Sequence, residues 1–183
     1  MKNLISIIAL LFFTLAVQAQ VPENKQTTLG LYVTAAEAIE KYRQDMDNVK
    51  VLDVRTPAEY AFVGHASMAF NVPFKHFAGF ADDGKMRMTE NESFVEDIKA
   101  RFEKSDIILI MCRSGGRSSA AVDKLAEAGF DNAYTIIDGF EGDKLKMPGA
   151  ANDGRRVVNG WKNSGGPWTY DADAKLVYKA GDK

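Results

Sequence analysis

The sequence predicts an α/β fold, in which buried strands alternate with helices. An unbroken apolar run rich in isoleucine, Ile107–Met111, is typical of a strand that is buried on both faces. The segment after it, residues 118–128, has helical character and ends at Gly129, a residue expected where the end of a helix turns left-handed. Open α/β sheets bind their ligands at the carboxyl ends of such strands.

The upstream elements follow the same alternation. Thr34 and Glu37 have the spacing of a capping box, so we predict a helix from there to about Asp45. The valine-rich residues 49–54 indicate a strand.

A second capping box follows this strand directly. Thr56 and Glu59 have the required spacing, and Pro57 stands at the first helical position, where its missing N–H is not needed. A short helical turn through Tyr60 is therefore predicted.

Two elements remain in the second half of the chain. Phe94, Ile98 and Phe102 recur at four-residue spacing, which predicts an amphipathic helix that ends near Lys104. Residues 133–137 are the last segment with the pattern of a strand.

The chain has a single cysteine, Cys112, at the carboxyl end of the predicted strand Ile107–Met111. The glycine-containing loop after it can turn its N–H groups inward to form an anion site, and the following helix start adds donors and partial positive charge. Arg113 and Arg117 add two full charges that suit oxyanions. These features favour the nucleophilic thiolate over the thiol. The alternative is a small buried cysteine that packs as an apolar residue.

The length of the loop narrows the chemistry. A phosphatase loop of the Cys-x5-Arg type would need an arginine where this chain has Ser118, whereas Arg117 closes a shorter Cys-x4-Arg loop. Together with residues 52–60 and the Gly-His-Ala of residues 64–66, this loop resembles the rhodanese family of sulfurtransferases. The resemblance extends from about residue 33 to residue 161. In that family a six-residue loop is associated with sulfur transfer, and a seven-residue loop with phosphate or arsenate chemistry.

The resemblance implies one rhodanese-like α/β domain, residues 32–170, with a mostly parallel central sheet flanked by helices on both faces. It also implies covalent double displacement, in which Cys112 accepts sulfur from thiosulfate or another sulfane donor and passes it to an acceptor. Arg113 and Arg117 would bind the anionic donor and the leaving group. The persulfide would be held by loop N–H groups, those of Ser114, Gly115, Gly116 and Arg117.

Asp53 and Arg55 belong, by resemblance, to the family's first signature, on a strand near the active-site loop. We expect a supporting role, in which Asp53 or Glu59 pairs with an arginine to brace the site; direct contact with substrate is the alternative. His65 is expected to be a hydrogen-bonded structural histidine. With two histidines and one cysteine, the chain offers no cluster of metal ligands, so we expect no metal and no cofactor.

Two segments are longer than a compact member of the family needs. Residues 76–91 contain a turn signal at positions 82–85. Residues 144–158 carry four basic side chains, which either are merely solvated or attract an anionic partner: Lys144, Lys146, Arg155 and Arg156.

Residues 1–19 have the pattern of a secretory signal peptide, with a basic start, an apolar core and small residues at Val17 and Ala19. A membrane anchor is the alternative, but the apolar stretch is shorter than the ~20 residues that a span needs. We expect export to the bacterial periplasm, with no membrane association after cleavage. Residues 20–31 and 171–183 are predicted to be a flexible lead-in and a polar tail.

Charge narrows the choice of partners. The formal net charge is −2 at pH 7, and removal of residues 1–19 takes away Lys2 and no acidic residue. This mild acidity argues against nucleic acid or an anionic membrane as the main partner. The expected partners are a small anionic sulfur donor and a thiol or cyanide-like acceptor, with an exported acceptor protein as a further candidate.

Two rival functions remain open. One is a non-catalytic binding module that uses the same fold as a docking platform, against which the presence of Cys112 with two arginines counts. The other is a phosphatase or an arsenate reductase-like enzyme, against which the length of the loop counts.

Overall fold

A computed structural model describes residues 21–179. The predicted signal peptide lies outside this range. Within it, no helix is long and apolar enough to cross a membrane.

A central sheet of five parallel strands organises the domain. In spatial order from one edge to the other, the strands are β1 (Tyr32–Val33), β8 (Ala133–Ile136), β7 (Ile107–Met111), β2 (Val49–Asp53) and β4 (Phe70–Asn71). The two longest strands, β2 and β7, pair along their whole length at the centre. The predicted α/β fold with a mostly parallel sheet is therefore confirmed.

Residues 21–179 contain four α-helices: α1 (Ala35–Gln44), α2 (Pro57–Val63), α3 (Phe94–Lys99) and α4 (Gly116–Glu127). The capping boxes predicted at the starts of α1 and α2 are both formed. Helix α3 ends earlier than predicted, because after Lys99 the chain tightens into a turn in which the Arg101 N–H donates to the Ile98 carbonyl. Phe102 nevertheless remains buried at 4% exposure.

Strand β7 is covered on both faces, as its apolar run predicted. Ile108 and Ile110 belong to one buried cluster together with residues of α3 and α4. Leu109 and Met111 belong to a second cluster on the opposite face, with residues of α1 and the fully buried Trp161. The end of β7 is therefore held rigidly between two cores.

Two surface segments, called here the surface excursions, extend from the central sheet and its helices. They correspond to the two segments that the sequence analysis identified as longer than a compact member of the family needs. The first is an antiparallel hairpin, β5 (Lys75–Phe80) and β6 (Met86–Glu90), which turns at the predicted position. The second is residues 144–158, an irregular segment with one isolated bridge between Lys144 and Arg156. A short antiparallel pair, β3 (His65–Ala66) and β9 (Trp168–Thr169), completes the described strands.

The described parts of the predicted lead-in and tail contact the domain rather than extending away from it. Val21 is buried, the Lys25 ammonium donates to the Ile137 carbonyl (2.8 Å), and the Ser119 hydroxyl donates to the Lys25 carbonyl (2.9 Å). In the tail, the Leu176 carbonyl accepts the Asn71 N–H (2.7 Å). Polar composition did not reveal these contacts, because single residues in otherwise polar segments make them.

Candidate active site

Cys112 lies at the carboxyl end of β7, and its side chain is only 2% exposed. The Gly115 N–H donates to its sulfur, Sγ, at 3.2 Å. Gly115 has φ of +100°, and a Cβ at this position would collide with the Ile137 carbonyl. The loop can therefore aim this N–H at the sulfur only with glycine at position 115.

A turn after β8 supports the loop. The Phe140 N–H donates to the Cys112 carbonyl (2.8 Å), and the Glu141 N–H donates to the Arg113 carbonyl (3.0 Å). Gly139 makes this approach possible, since a Cβ there would lie 2.5 Å from the Cys112 carbonyl oxygen. Two loop carbonyls are thereby fixed against this turn.

Asp138 anchors the turn, a role that the sequence did not reveal. Its carboxylate accepts the Ala35 N–H at the start of α1 (2.7 Å) and the Gly160 N–H (2.9 Å). Burial raises the pKa of Asp138, against the lowering effect of these two hydrogen bonds. The only signal in the sequence was an acidic residue directly after the last strand, which does not identify its distant partners.

Arg117 forms a forked ion pair with Glu59 on α2. Its two terminal nitrogens donate to the two carboxylate oxygens at 2.7 and 2.5 Å. The Thr56 N–H and hydroxyl also donate to Glu59. Burial alone would raise the pKa of Glu59. The hydrogen bonds and charge of Arg117, together with the hydrogen bonds from Thr56, have the opposite and larger effect and lower this pKa to about 2. The predicted pairing of Glu59 with an arginine is confirmed.

Asp53 and Arg55 form a second pair, which is fully buried. The Arg55 guanidinium donates to the Asp53 carboxylate at 2.6 Å and to the Gly64 carbonyl at 2.7 Å. It also lies over the Phe140 ring, 4.2 Å from the ring centroid. The pair thus links β2 with the turn that supports the loop, and neither residue lines the pocket described below.

Arg113 has a different environment from Arg117. Its Nε is buried and has no hydrogen-bond partner among the described residues. No salt bridge to Arg113 is formed within residues 21–179. One of the two loop arginines is therefore paired within the protein, whereas the other forms no ion pair in the described part of the chain.

A pocket of about 490 Å³ adjoins the loop. It is lined by residues of α2, the hairpin, the loop and the supporting turn: Thr56, Ala58, Glu59, Val63, Phe77, Met86, Met88, Arg113, Arg117 and Glu141. Cys112 is not among them and is buried. Of the other predicted loop residues, Ser114 is half-buried and Gly116, the first residue of α4, is exposed. The contribution of the hairpin to the pocket was not predicted, because sequence showed only its turn.

Two further sequence expectations concern residues outside the pocket. His65 is buried, its Nδ1 lies 3.0 Å from the Tyr60 carbonyl oxygen, and its ring stacks on that of Tyr60, which confirms a structural histidine. Over the range that the structure describes, no group of three or more His, Cys, Asp or Glu side chains could hold a metal ion.

Comparison with known proteins identifies relatives of this chain. A model of the rhodanese-like domain matches residues 35–146, more than half of the chain. The chain is 40% identical over 91 residues to thiosulfate sulfurtransferase 16 of Arabidopsis thaliana, a chloroplastic protein, and the match covers 50% of this chain and 70% of that protein. It is 41% identical over 91 residues to the senescence-associated protein DIN1 of Raphanus sativus, of which the match spans 46%.

Solved structures agree with these matches. The crystal structure of Rv0390 from M. tuberculosis superposes with a TM-score of 0.60 and 29% sequence identity, covering 76% of this chain and 97% of that one. The family model, the identity to the Arabidopsis protein and this shared fold together place the chain in the rhodanese-like domain family.

Proposed function

We propose that this protein is a sulfurtransferase that moves sulfane sulfur from a donor to a nucleophilic acceptor through a persulfide on Cys112. The proposal rests on the hydrogen bond that the Gly115 N–H, at the start of α4, donates to the Cys112 sulfur. This donor and the partial positive charge of the helix N-terminus favour negative charge on sulfur. Membership of the rhodanese-like family and similarity to a protein named as a thiosulfate sulfurtransferase support it.

The reaction has two balanced halves. The Cys112 thiolate attacks the outer sulfur of thiosulfate, the bond between the two sulfurs of thiosulfate breaks, and sulfite leaves with the electron pair. A nucleophile such as a thiolate or cyanide then attacks the outer sulfur of the persulfide, and Cys112 departs as the thiolate.

The loop supplies the contacts that each half needs. Arg113, which lines the pocket and forms no ion pair among residues 21–179, binds the anionic donor and the leaving group. Arg117 contributes charge to the same site while its terminal nitrogens hold Glu59. The N–H groups of Ser114 to Arg117 stabilise the persulfide, whose outer sulfur extends about 2 Å beyond Sγ and is therefore easier to reach than the buried thiol.

The setting of the reaction is part of the proposal. The signal-like pattern of residues 1–19 supports export to the periplasm, and the mild net negative charge argues against nucleic acid as the main partner. The acceptor is a small thiol or an exported protein.

The test is a thiosulfate:cyanide assay of the wild-type protein and of Cys112→Ser. Serine is nearly isosteric with cysteine but is not a sulfur nucleophile, so transfer should fall to background while the thermal unfolding midpoint changes little. Appreciable activity in Cys112→Ser would refute the mechanism. A folded wild-type protein that transfers sulfur from no donor would favour the rival binding module.

A further inference from the structure

The segment of residues 21–29 lies ahead of the residues that the rhodanese-like domain model matches, which begin at residue 35. We call this segment the N-terminal strap. It contains a single turn of 3-10 helix, Glu23–Lys25. The Thr28 N–H and hydroxyl both donate to the Asp123 carboxylate on α4, at 2.7 and 2.9 Å. The strap is therefore bound to the helix that follows the loop, although it lies outside the matched part of the chain.

Lys25 makes three contacts at the start of α4. Its carbonyl oxygen lies 2.9 Å from the Ser119 hydroxyl, which also lies 2.8 Å from the Gly115 carbonyl oxygen. Its ammonium donates to the Ile137 carbonyl at 2.8 Å. Its Cδ lies 3.0 Å from the position that a Cβ on Gly115 would take, and the Ile137 carbonyl lies against the same position. Gly115 therefore lies beside a carbonyl and a lysine stem that one hydrogen bond joins.

These contacts matter to the sulfur because Gly115 supplies its hydrogen-bond donor. The Gly115 N–H donates to the Cys112 sulfur at 3.2 Å, and it does so from a backbone with φ of +100°. Glycine has no side chain to restrict its backbone, so neighbouring groups must hold the peptide in this orientation. The atoms nearest to its vacant side-chain position belong to Ile137 and Lys25. Loss of the Lys25 ammonium would release the Ile137 carbonyl and allow the Gly115 N–H to move away from the sulfur.

We propose that Lys25 is a positioning residue for the reaction, which holds the Gly115 N–H on the Cys112 sulfur and thereby favours the thiolate. Lys25 does not line the pocket, and it acts through Gly115 and the Ile137 carbonyl. This inference rests on the proposed function, in which the Cys112 thiolate is the nucleophile.

The test is the pH at which Cys112 ionises, followed by the ultraviolet absorbance of its thiolate. Cys112 is the single cysteine of the chain, so the signal has one source once the absorbance of the matching Cys112→Ser protein is subtracted. Lys25→Met keeps an unbranched side chain but removes the donor. Its ionisation midpoint should lie about one pH unit above that of the wild type, as expected when a charged group loses one hydrogen bond. Lys25→Arg keeps a donor and should restore the wild-type midpoint.

Two further variants separate this contact from other causes. Lys25→Gln is neutral but keeps a hydrogen-bond donor, so its midpoint should stay closer to that of the wild type than the midpoint of Lys25→Met does. Lys41→Met is the matched control, because Lys41 is also half-buried but its ammonium lies over the Tyr134 ring, 5.1 Å from the ring centroid. Its midpoint should equal that of the wild type. Thermal unfolding of each variant checks that it is folded.

An unchanged midpoint in folded Lys25→Met would overturn the inference. Equal shifts in Lys25→Met and Lys25→Gln would also overturn it, because they would assign the effect to charge alone. Equal shifts in Lys25→Met and Lys41→Met would do the same, since the effect would not depend on contact with Gly115. In each of these cases, sulfur transfer by the wild type would leave the proposed function intact. A wild type that transfers sulfur from no donor would instead refute the proposed function, whatever the midpoints are.

Discussion

The loop from Cys112 to Arg117 and the two surface excursions, residues 75–90 and 144–158, have opposite structural characters. The loop begins at the end of a strand that lies between two buried cores, two of its carbonyls accept hydrogen bonds from the turn after Asp138, and Arg117 is paired with Glu59. The excursions are largely exposed, and the hairpin presents unburied aromatic and methionine side chains.

This difference in burial matches two different requirements, one for the reaction at sulfur and one for the choice of donor or partner. A reacting sulfur needs groups held in fixed positions, and buried contacts supply them. Selection of a donor or a partner needs exposed surface, which can vary without disturbing the core. Changes in the loop or its support should therefore affect transfer from every donor, and changes in the excursions should affect only some donors or conditions.

The largest effect should come from Gly139→Ala. The added Cβ would lie 2.5 Å from the Cys112 carbonyl oxygen and would push the supporting turn away from the loop. We expect transfer from every donor to be lost and the free energy of unfolding to fall by about 1–3 kcal/mol. Gly149→Ala is the matched control, since Gly149 also has positive φ (+88°) but no atom within 4 Å of its Cβ position. Equal losses in the two variants would show that backbone strain, not contact with the loop, is responsible.

The next effect distinguishes the two loop arginines. Arg113→Ala should raise the KM for thiosulfate roughly tenfold to hundredfold, because a charge-assisted contact worth ~1.5–3 kcal/mol is lost. Arg117→Ala should also weaken donor binding, and it should lower stability in addition, because Glu59 would remain partly buried without its partner. Steady-state kinetics and urea unfolding measure the two effects. An unchanged KM in both variants would show that backbone N–H groups alone hold the donor.

A smaller effect concerns acid stability. The folded-state pKa of Glu59 is about 2, below its ordinary value of 4.5, so its pairing stabilises the fold above pH 4.5 and this stabilisation is lost as pH falls towards 2. The Glu59→Gln variant should be less stable than the wild type at neutral pH, and it should lose less stability than the wild type as the pH falls from 4.5 towards 2. The exposed Glu92→Gln is the control. Unfolding followed between pH 7 and pH 2 tests this, and parallel curves for Glu59→Gln and wild type would contradict it.

The smallest effect is expected in the second excursion. Lys144, Lys146 and Arg155 are exposed, whereas Arg156 donates to the Gly142 carbonyl and is best left unchanged. Changing the first three to Gln should lower the second-order rate constant with an anionic donor at low salt and should have little effect at high salt. Surface charges act mainly on the rate at which protein and donor meet, and salt screens them within about 10 Å at ~0.1 M ionic strength. Wild-type rates and salt dependence with every donor and acceptor would make the segment a merely solvated loop.

Sequence predicted what depends on local pattern. The strand before Cys112, the capping boxes at Thr34 and Thr56, and the helix end at Gly129 are each specified within a few residues, and all are present. Partners far apart in the chain were harder to predict. The sequence suggested that Asp53 or Glu59 would pair with an arginine, but not which arginine each would take.

Other features had no local signal at all. The anchoring role of Asp138 depends on backbone N–H groups of Ala35 and Gly160, which only the folded chain brings together. The contribution of the hairpin to the pocket depends on where the folded chain places Phe77, Met86 and Met88. The packing of residues 21–31 depends on a few side chains in a polar segment, such as Lys25.

The most direct test of the central claim is the intact mass of the protein after treatment with thiosulfate and removal of the excess. The wild-type protein should gain the mass of one sulfur atom and lose it again when cyanide is added, and Cys112→Ser should gain nothing. Turnover of thiosulfate by a wild-type protein that never carries the extra sulfur, or the same gain in Cys112→Ser, would contradict a persulfide on Cys112.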